Sequence, residues 1–281
     1  MKGRLGGGLA AALMATTLAA TVSSPAAHAA TTALPRPDHT LVVVMENHGY
    51  ASVIGNRKAP WVNGLRAAVL TDWHGVTHPS QPNYLALFTG STHGITGDRC
   101  PVKVTGASLA GQLIGAGLSF TGYSEDLPKA GSTVCGAKGY ARKHNPWVDV
   151  AGLPAAVNQP LTALPKDFAA LPTVAFLVPN LCHDTHDCSV ATGDAWLQRT
   201  LSGYVTWAAR HNSLLVITYD EDDFTRSNRI PTLLVGPMVT PGRYAQHGDH
   251  YTTLRTLEAL YGLGQIGLAA GRQPLLAVWH G

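Results

Sequence analysis

Thr40-Leu41-Val42-Val43-Val44-Met45 is an unbroken apolar, largely β-branched run that ends in Glu46-Asn47-His48-Gly49-Tyr50. It has no period-two alternation, so both faces of the strand it predicts are covered, as in a parallel sheet. Thr173-Val174-Ala175-Phe176-Leu177-Val178 and Leu214-Leu215-Val216-Ile217-Thr218-Tyr219 repeat the pattern. Helical spacing separates the runs: Trp61 to Ala68, Ser108 to Ile114, Gly193 to His211, and Leu254 to about Tyr261. Shorter strands are expected at Val69–Trp73, Leu118–Tyr123 and Ile230–Val235. The reading is α/β, a single domain with a largely parallel central sheet flanked by helices.

Each strong strand empties into polar residues. Glu46-Asn47 follows the first, Asn180-Leu181-Cys182-His183-Asp184-Thr185-His186-Asp187-Cys188 the second, and Asp220-Glu221-Asp222-Asp223 the third. Open α/β sheets bind ligands at the carboxyl ends of their strands, so these groups are expected to converge. Four adjacent carboxylates repel one another unless solvated or bridged by a cation; Arg226 and Arg229 offer a metal-free counterion.

His78-Pro79-Ser80-Gln81-Pro82-Asn83-Tyr84 opens another apolar helix. Pro82 suits a first helical turn, which sets Ser80 at or just before the N-cap, facing free N–H groups and the positive end of the dipole. Alone, the motif reads as a serine cap. With the acidic clusters beside it, Ser80 becomes a candidate nucleophile.

Lys2 and Arg4 precede an apolar run closed by Ala27-His28-Ala29, a secretory leader pattern. Residues 1–29 are therefore expected to be cleaved, leaving 30–281 as one catalytic domain, secreted by the general route because no twin-arginine pair is present. A retained anchor is the alternative, but the run is diluted by Gly and Thr and no second spanning segment follows. The formal charge of +3 falls to +1 once Lys2 and Arg4 are removed. That balance gives no case for nucleic acid or for membrane attraction, and nothing in the chain specifies an oligomeric state. Hydrophobic residues at 45% allow a sizeable core, and 13 histidines beside 13% charged residues point to proton or metal chemistry.

In an exported chain the four cysteines pair by default, and the sequence-local solution is Cys100–Cys135 with Cys182–Cys188. Three connectivities exist, and a Cys/His zinc cluster at Cys182-His183 is a rival. Between them, Lys129 to Pro165 reads as an extended insertion whose bases Lys138, Arg142, Lys143 and His144 suit either an anionic substrate or a solvated face.

A serine triad of the Gly-x-Ser-x-Gly type is absent around Ser80. Metal activation fits better: a divalent cation held by Glu46, Asn47, Asp220 and Glu221 would bind the Ser80 oxygen, lower its pKa and draw in a phosphate. That oxygen-rich set favours a hard ion such as Ca²⁺, Mg²⁺ or Mn²⁺, with Zn²⁺ as the softer option. His183, Asp184, His186 and His250 either hold a second ion or leave its place to the histidines, which in protonated form grip the phosphoryl oxygens and protonate the leaving group. The latter favours acid pH.

Val43-Val44-Met45-Glu46-Asn47-His48, the Ser80 motif, Pro179-Asn180 with His183-Asp184-x-His186, Thr218-Tyr219-Asp220-Glu221 and His250-Tyr251-x-x-Leu254-Arg255-Thr256-x-Glu258 together resemble the bacterial phosphoesterase family of secreted acid phosphatases and phospholipases C, within the alkaline-phosphatase-like superfamily. The resemblance spans residues 40 to 262. It implies a phosphoserine at Ser80, metal ligation by Glu46, Asn47, Ser80, Asp220 and Glu221 with Asp184 as a further ligand, and phosphate contacts from Asn83, Asn180, His183, His186 and His250. Asp222-Asp223-Phe224 replaces the His-Gly-Gly usual in the phospholipases, and the nucleophile is serine. Both features favour a phosphomonoesterase, with phosphoinositides in range. The alternatives are a phospholipase C that releases a phosphorylated headgroup and an inactive extracellular binder of phosphate or glycan.

Overall fold

The computed structural model describes residues 1–3, 6–8 and 34–280. Most of the expected leader and its cleavage site fall on the remaining residues and lie outside those described. From His39 the elements are β1 (His39–Met45), α1 (Tyr50–Val53), α2 (Pro60–Gly64), β2 (Ala68–His74), α3 (Ser80–Thr89), α4 (Leu109–Gly115), β3 (Phe120–Ser124), β4 (Gly136–Ala137), β5 (Tyr140–Ala141) and α5 (Pro146–Asp149). There follow β6 (Asn158–Pro160), β7 (Val174–Val178), α6 (Val190–Ala208), β8 (Ser213–Tyr219), β9 (Thr232–Val235), β10 (Gly242–Asp249) and α7 (His250–Leu260).

Eight strands form one sheet in the order β10-β2-β9-β8-β1-β7-β3-β6. β1 runs parallel to β7 and β8, and β3 parallel to β7 and β6. Strand β9 runs antiparallel to both its neighbours, β8 and β2. Its connection to β8 holds no helix, and a parallel return needs a longer crossover. The expected largely parallel α/β sheet is the one found, and every residue of β7 and β8 is buried as the unalternating runs predicted.

Register does the positioning. Met45 pairs with Tyr219 in parallel, and the Asp220 N–H donates to the Met45 carbonyl at 2.9 Å, so Glu46 and Asp220 leave the sheet side by side. On the other flank Val43 pairs with Leu177, which brings the 179–188 loop to the same end.

Three sequence expectations need correction. Helix α7 starts at His250 rather than Leu254, because Asp249, not a threonine, caps it by accepting the Thr252 N–H at 2.9 Å. Helix α6 starts at Val190, so Gly193 lies inside it. The Lys129–Pro165 segment is folded rather than extended: it carries β4, β5, α5 and the sheet-edge strand β6, and it sinks Trp147 against Phe88, Phe120 and Phe176 at 6.0 to 6.2 Å between ring centroids. A Cβ on Gly122 would come within 2.1 Å of that indole, so the close approach requires glycine.

The disulfides are Cys100–Cys135 and Cys182–Cys188, the sequence-local pairing, and no cysteine is free. That removes the zinc-cluster reading at Cys182-His183. Among the described residues no helix is long and apolar enough to cross a membrane.

Candidate active site

Ser80 is the first residue of α3, one position later than the cap expected of it, with Pro79 at the N-cap. Its side chain is buried, and its hydroxyl faces Glu46 Oε2 at 2.9 Å, Glu221 Oε1 at 3.2 Å and Asn47 Oδ1 at 3.5 Å. The hydroxyl has one proton for three acceptors, so at least two of those oxygens are left to find another positive partner. Not all the helix-end N–H groups are free, since Gln81 N–H donates to Asp98 Oδ1 at 3.0 Å.

Glu46, Asp184, Asp220 and Glu221 are all essentially inaccessible, at 0 to 1% exposure. Asn47, turning the chain at a φ of 54°, donates its backbone N–H to Asp220 Oδ1 at 3.1 Å. Asn is among the few side chains that tolerate this left-handed conformation. Thr185 sits at a φ of 82°, strained for a β-branched residue, and its hydroxyl donates to the Glu46 carbonyl at 2.8 Å. That bond ties the 179–188 loop to the end of β1 beside Asp184.

Burial pushes the carboxyl groups up. Asp184 and Glu221 are raised to about 7, mainly by loss of solvent. Glu46 rises well above its usual range through burial and then the charges of Asp220 and Asp184, and Asp220 rises through burial and then the charge of Glu221. Asp184 Oδ2, Asp220 Oδ2 and His144 Nε2 are buried with no hydrogen-bond partner. Glu46, His144 and Asp184 each bring a ligand atom within 4.8 Å of the others. Clustered, desolvated carboxylates with unpartnered lone pairs fit a divalent cation. Among the described residues, arginine does not supply the compensation: Arg226 is exposed and the Arg229 guanidinium lies 4.1 Å above the Tyr50 ring.

His144 and Tyr84 are site residues that sequence reasoning missed. His144 read as one base in a surface cluster, yet it is 1% exposed, with Nε2 3.2 Å from Glu46 Oε1 and Nδ1 3.4 Å from Asp184 Oδ2. Burial holds its pKa well below the usual histidine value, aided by the charge of Lys143, so it is a neutral donor nitrogen. Tyr84 stood inside the serine motif without a role; its hydroxyl donates to Glu46 Oε1 at 2.5 Å. Lys143, from the same basic cluster, reaches the rim by pairing with Asp98 at 2.7 Å.

The other expected contacts are distributed differently. Asn83 Oδ1 accepts from the Val76 and Thr77 N–H groups, and its amide donates to the Thr77 and Pro79 carbonyls, at 2.8 to 3.2 Å. All four of its bonding positions build the turn before α3, and none is left for phosphate. Asn180 similarly caps its own loop by accepting from Cys182 and His183 N–H, and it donates to Asp126 at 2.8 Å. His250 is buried and donates from Nε2 to the Asp220 carbonyl at 2.5 Å. His183 and His186 remain partly open at 28% and 30%, with Nδ1 bonded to Glu125 at 2.8 Å and to Asp187 at 2.7 Å respectively.

The Phosphoesterase family signature matches residues 65–264. A phosphatidylinositol-3-phosphatase of Mycobacterium tuberculosis is 47% identical over 97% of this chain and 92% of its own length. An acid phosphatase of Aspergillus fumigatus is 28% identical over 80% of the chain, which spans 55% of that protein. In fold, a Vibrio parahaemolyticus protein of the alkaline phosphatase superfamily superposes with a TM-score of 0.57 at 12% identity, covering 86% of this chain and 71% of the other. A signature across most of the folded chain and a near-full-length relative at this identity make the protein a member of the phosphoesterase family, and hence a hydrolase of phosphoric esters.

Proposed function

We propose that the chain is an exported, metal-assisted phosphomonoesterase that works through a phosphoserine at Ser80, with phosphoinositides among its substrates. The observation that carries the reading is the buried Ser80 hydroxyl at the start of α3, ringed by Glu46, Asn47 and Glu221 within 3.5 Å. The phosphoinositide part rests on the name of the mycobacterial relative. Two disulfides suit an oxidising compartment, and with the leader-like N terminus they support export.

Ser80 Oγ attacks phosphorus as its proton passes to Glu46 or Glu221, and the bond from phosphorus to the ester oxygen breaks. His183 gives the departing alkoxide its proton; Glu125 on Nδ1 fixes the ring and leaves Nε2 available for the transfer. Water then attacks the phosphoserine, releasing inorganic phosphate and returning a proton to Ser80. A divalent cation at Glu46, Asn47, Asp220, Glu221, Asp184 and His144 would offset the buried negative charge and draw the phosphate in. The nitrogen of His144 makes the donor set mixed, which widens the choice from hard ions toward Zn²⁺. His186, half-open on the same loop, is assigned to the phosphoryl oxygens. His250 and Asn83 are assigned to holding Asp220 and the serine turn in place.

Turnover of an aryl phosphate by Ser80→Ala tests the reading, together with acid-quench trapping of a phosphorylated protein. A loss of about 10³-fold or more, with no trapped phosphoprotein, is expected. Near-wild-type turnover by the variant excludes Ser80 as nucleophile. For export, the secreted protein is expected to begin at Ala30 on N-terminal sequencing.

A further inference from the structure

Asp72, His74 and His247 form a second cluster that shares no residue with the Ser80 site. Strand geometry builds it: Asp72 and His74 lie two apart on β2 and so share one face, and His247 is the register partner of Asp72 on β10. His74 Nε2 is 2.8 Å from Asp72 Oδ1, and His247 Nδ1 is 3.0 Å from Asp72 Oδ2. The two imidazole rings are 5.1 Å apart.

The other side of the His74 ring decides what this cluster holds. His74 Nδ1 lies 2.6 Å from the Ser227 carbonyl. A carbonyl oxygen only accepts, so Nδ1 carries the proton, and Nε2 of the neutral ring then points a lone pair at a carboxylate. Something positive belongs between those two acceptors, either a second proton or a cation. A carbonyl-anchored Nδ1–H is also the arrangement that fixes a histidine for metal binding through Nε2. The three donor atoms lie within 4.8 Å of one another. Two imidazole nitrogens and one carboxylate suit Zn²⁺ and its transition-metal neighbours, while Ca²⁺ and Mg²⁺ prefer all-oxygen sets.

We propose that Asp72, His74 and His247 make a transition-metal site of the Zn²⁺ type, separate from the catalytic carboxylates. The ion joins edge strand β10 to β2. Through the His74 to Ser227 bond it also anchors the 222–228 loop. In that loop Asn228 accepts from the Asp222 N–H at 2.8 Å and donates to the Thr77 carbonyl at 2.9 Å, which ties the loop to the segment before Ser80.

Native mass spectrometry of the full-length protein, stripped by chelator and then dialysed against Zn²⁺, reads the site directly. His247 is 73% exposed, so His247→Gln keeps the fold, and Asp72→Asn is the second variant. Each variant should hold one zinc fewer per chain than the wild type, with zinc affinity at that position weakened by about 10- to 100-fold or more. Aryl phosphate turnover in catalytic-metal buffer should stay near wild type. Zinc should also raise the melting temperature of the wild type more than that of either variant. Equal zinc content in the wild type and both variants overturns the proposal, and the two acceptors then share a proton.

Discussion

At the scale of single residues, Glu46 carries the most demands. It receives the Ser80 and Tyr84 hydroxyls, adjoins His144, and is fully desolvated. The Tyr84 bond settles which carboxylate oxygen turns toward the serine, because Oε1 is occupied by the phenol and Oε2 remains for Ser80. Tyr84→Phe keeps the buried ring and removes that constraint. The variant is expected to fold normally and to bind the catalytic cation about 10- to 100-fold more weakly, the usual effect of losing a partner behind a ligand. Calorimetric metal titration of the two proteins measures it, and unchanged affinity would mean the phenol does not orient Glu46. Nothing in the local pattern around Tyr84 reveals this role, since a tyrosine in an apolar helix is equally at home in a core.

At the scale of elements, the site depends on how closely α6 approaches the 183–185 loop. Gly193 makes this contact possible: a Cβ there would lie 2.4 Å from Thr185 Cγ2, 3.0 Å from Met45 Cε and 3.1 Å from the His183 carbonyl. Gly193→Ala should therefore push the loop that carries Asp184 away from the end of β1. The expected result is a stability loss of about 1–3 kcal/mol despite the better helix propensity of alanine, with a fall in kcat larger than any change in KM. Chemical denaturation with steady-state kinetics checks both. Wild-type stability and kcat would show that the loop has room to give. The glycine was visible in the sequence, but as a helix boundary; only the packing of two elements remote in sequence explains it.

Across the whole molecule, folding concentrates carboxylates in a dry place, and pH reports the cost. Asp184 and Glu221 rise to about 7, and Glu46 and Asp220 also rise, from unfolded values near 4. The folded state thus holds protons that the unfolded chain has released. Stability from Asp184 and Glu221 is fully present below about pH 4 and is lost as pH rises through about 7, and the raised Glu46 and Asp220 act in the same direction. Buried His144 and His250 are lowered, so they oppose this only below about pH 6.5. Metal-free protein should accordingly melt at falling temperature between about pH 5 and pH 7, and saturating divalent cation should flatten that slope by replacing the protons. Calorimetric scans with chelator and with added metal test it; a slope unaltered by metal would remove the cation from this cluster.

Much of the molecule is legible in one dimension because its causes are local. Apolar runs without alternation specified buried parallel strands, the polar residues behind them marked the sheet's carboxyl edge, and of three possible connectivities the sequence-local pairing of the cysteines is the one that forms. The serine motif and the acidic pairs, read together, named the family. What only the tertiary structure decided are matters of register and approach. The Met45–Tyr219 pairing sets Glu46 beside Asp220, Asn83 is consumed by its own turn, and a folded insertion delivers His144 between two carboxylates. Distance along the chain carries no information about such contacts: they arise when a few parallel strands and one helix end bring segments remote in sequence into a space from which water has been excluded.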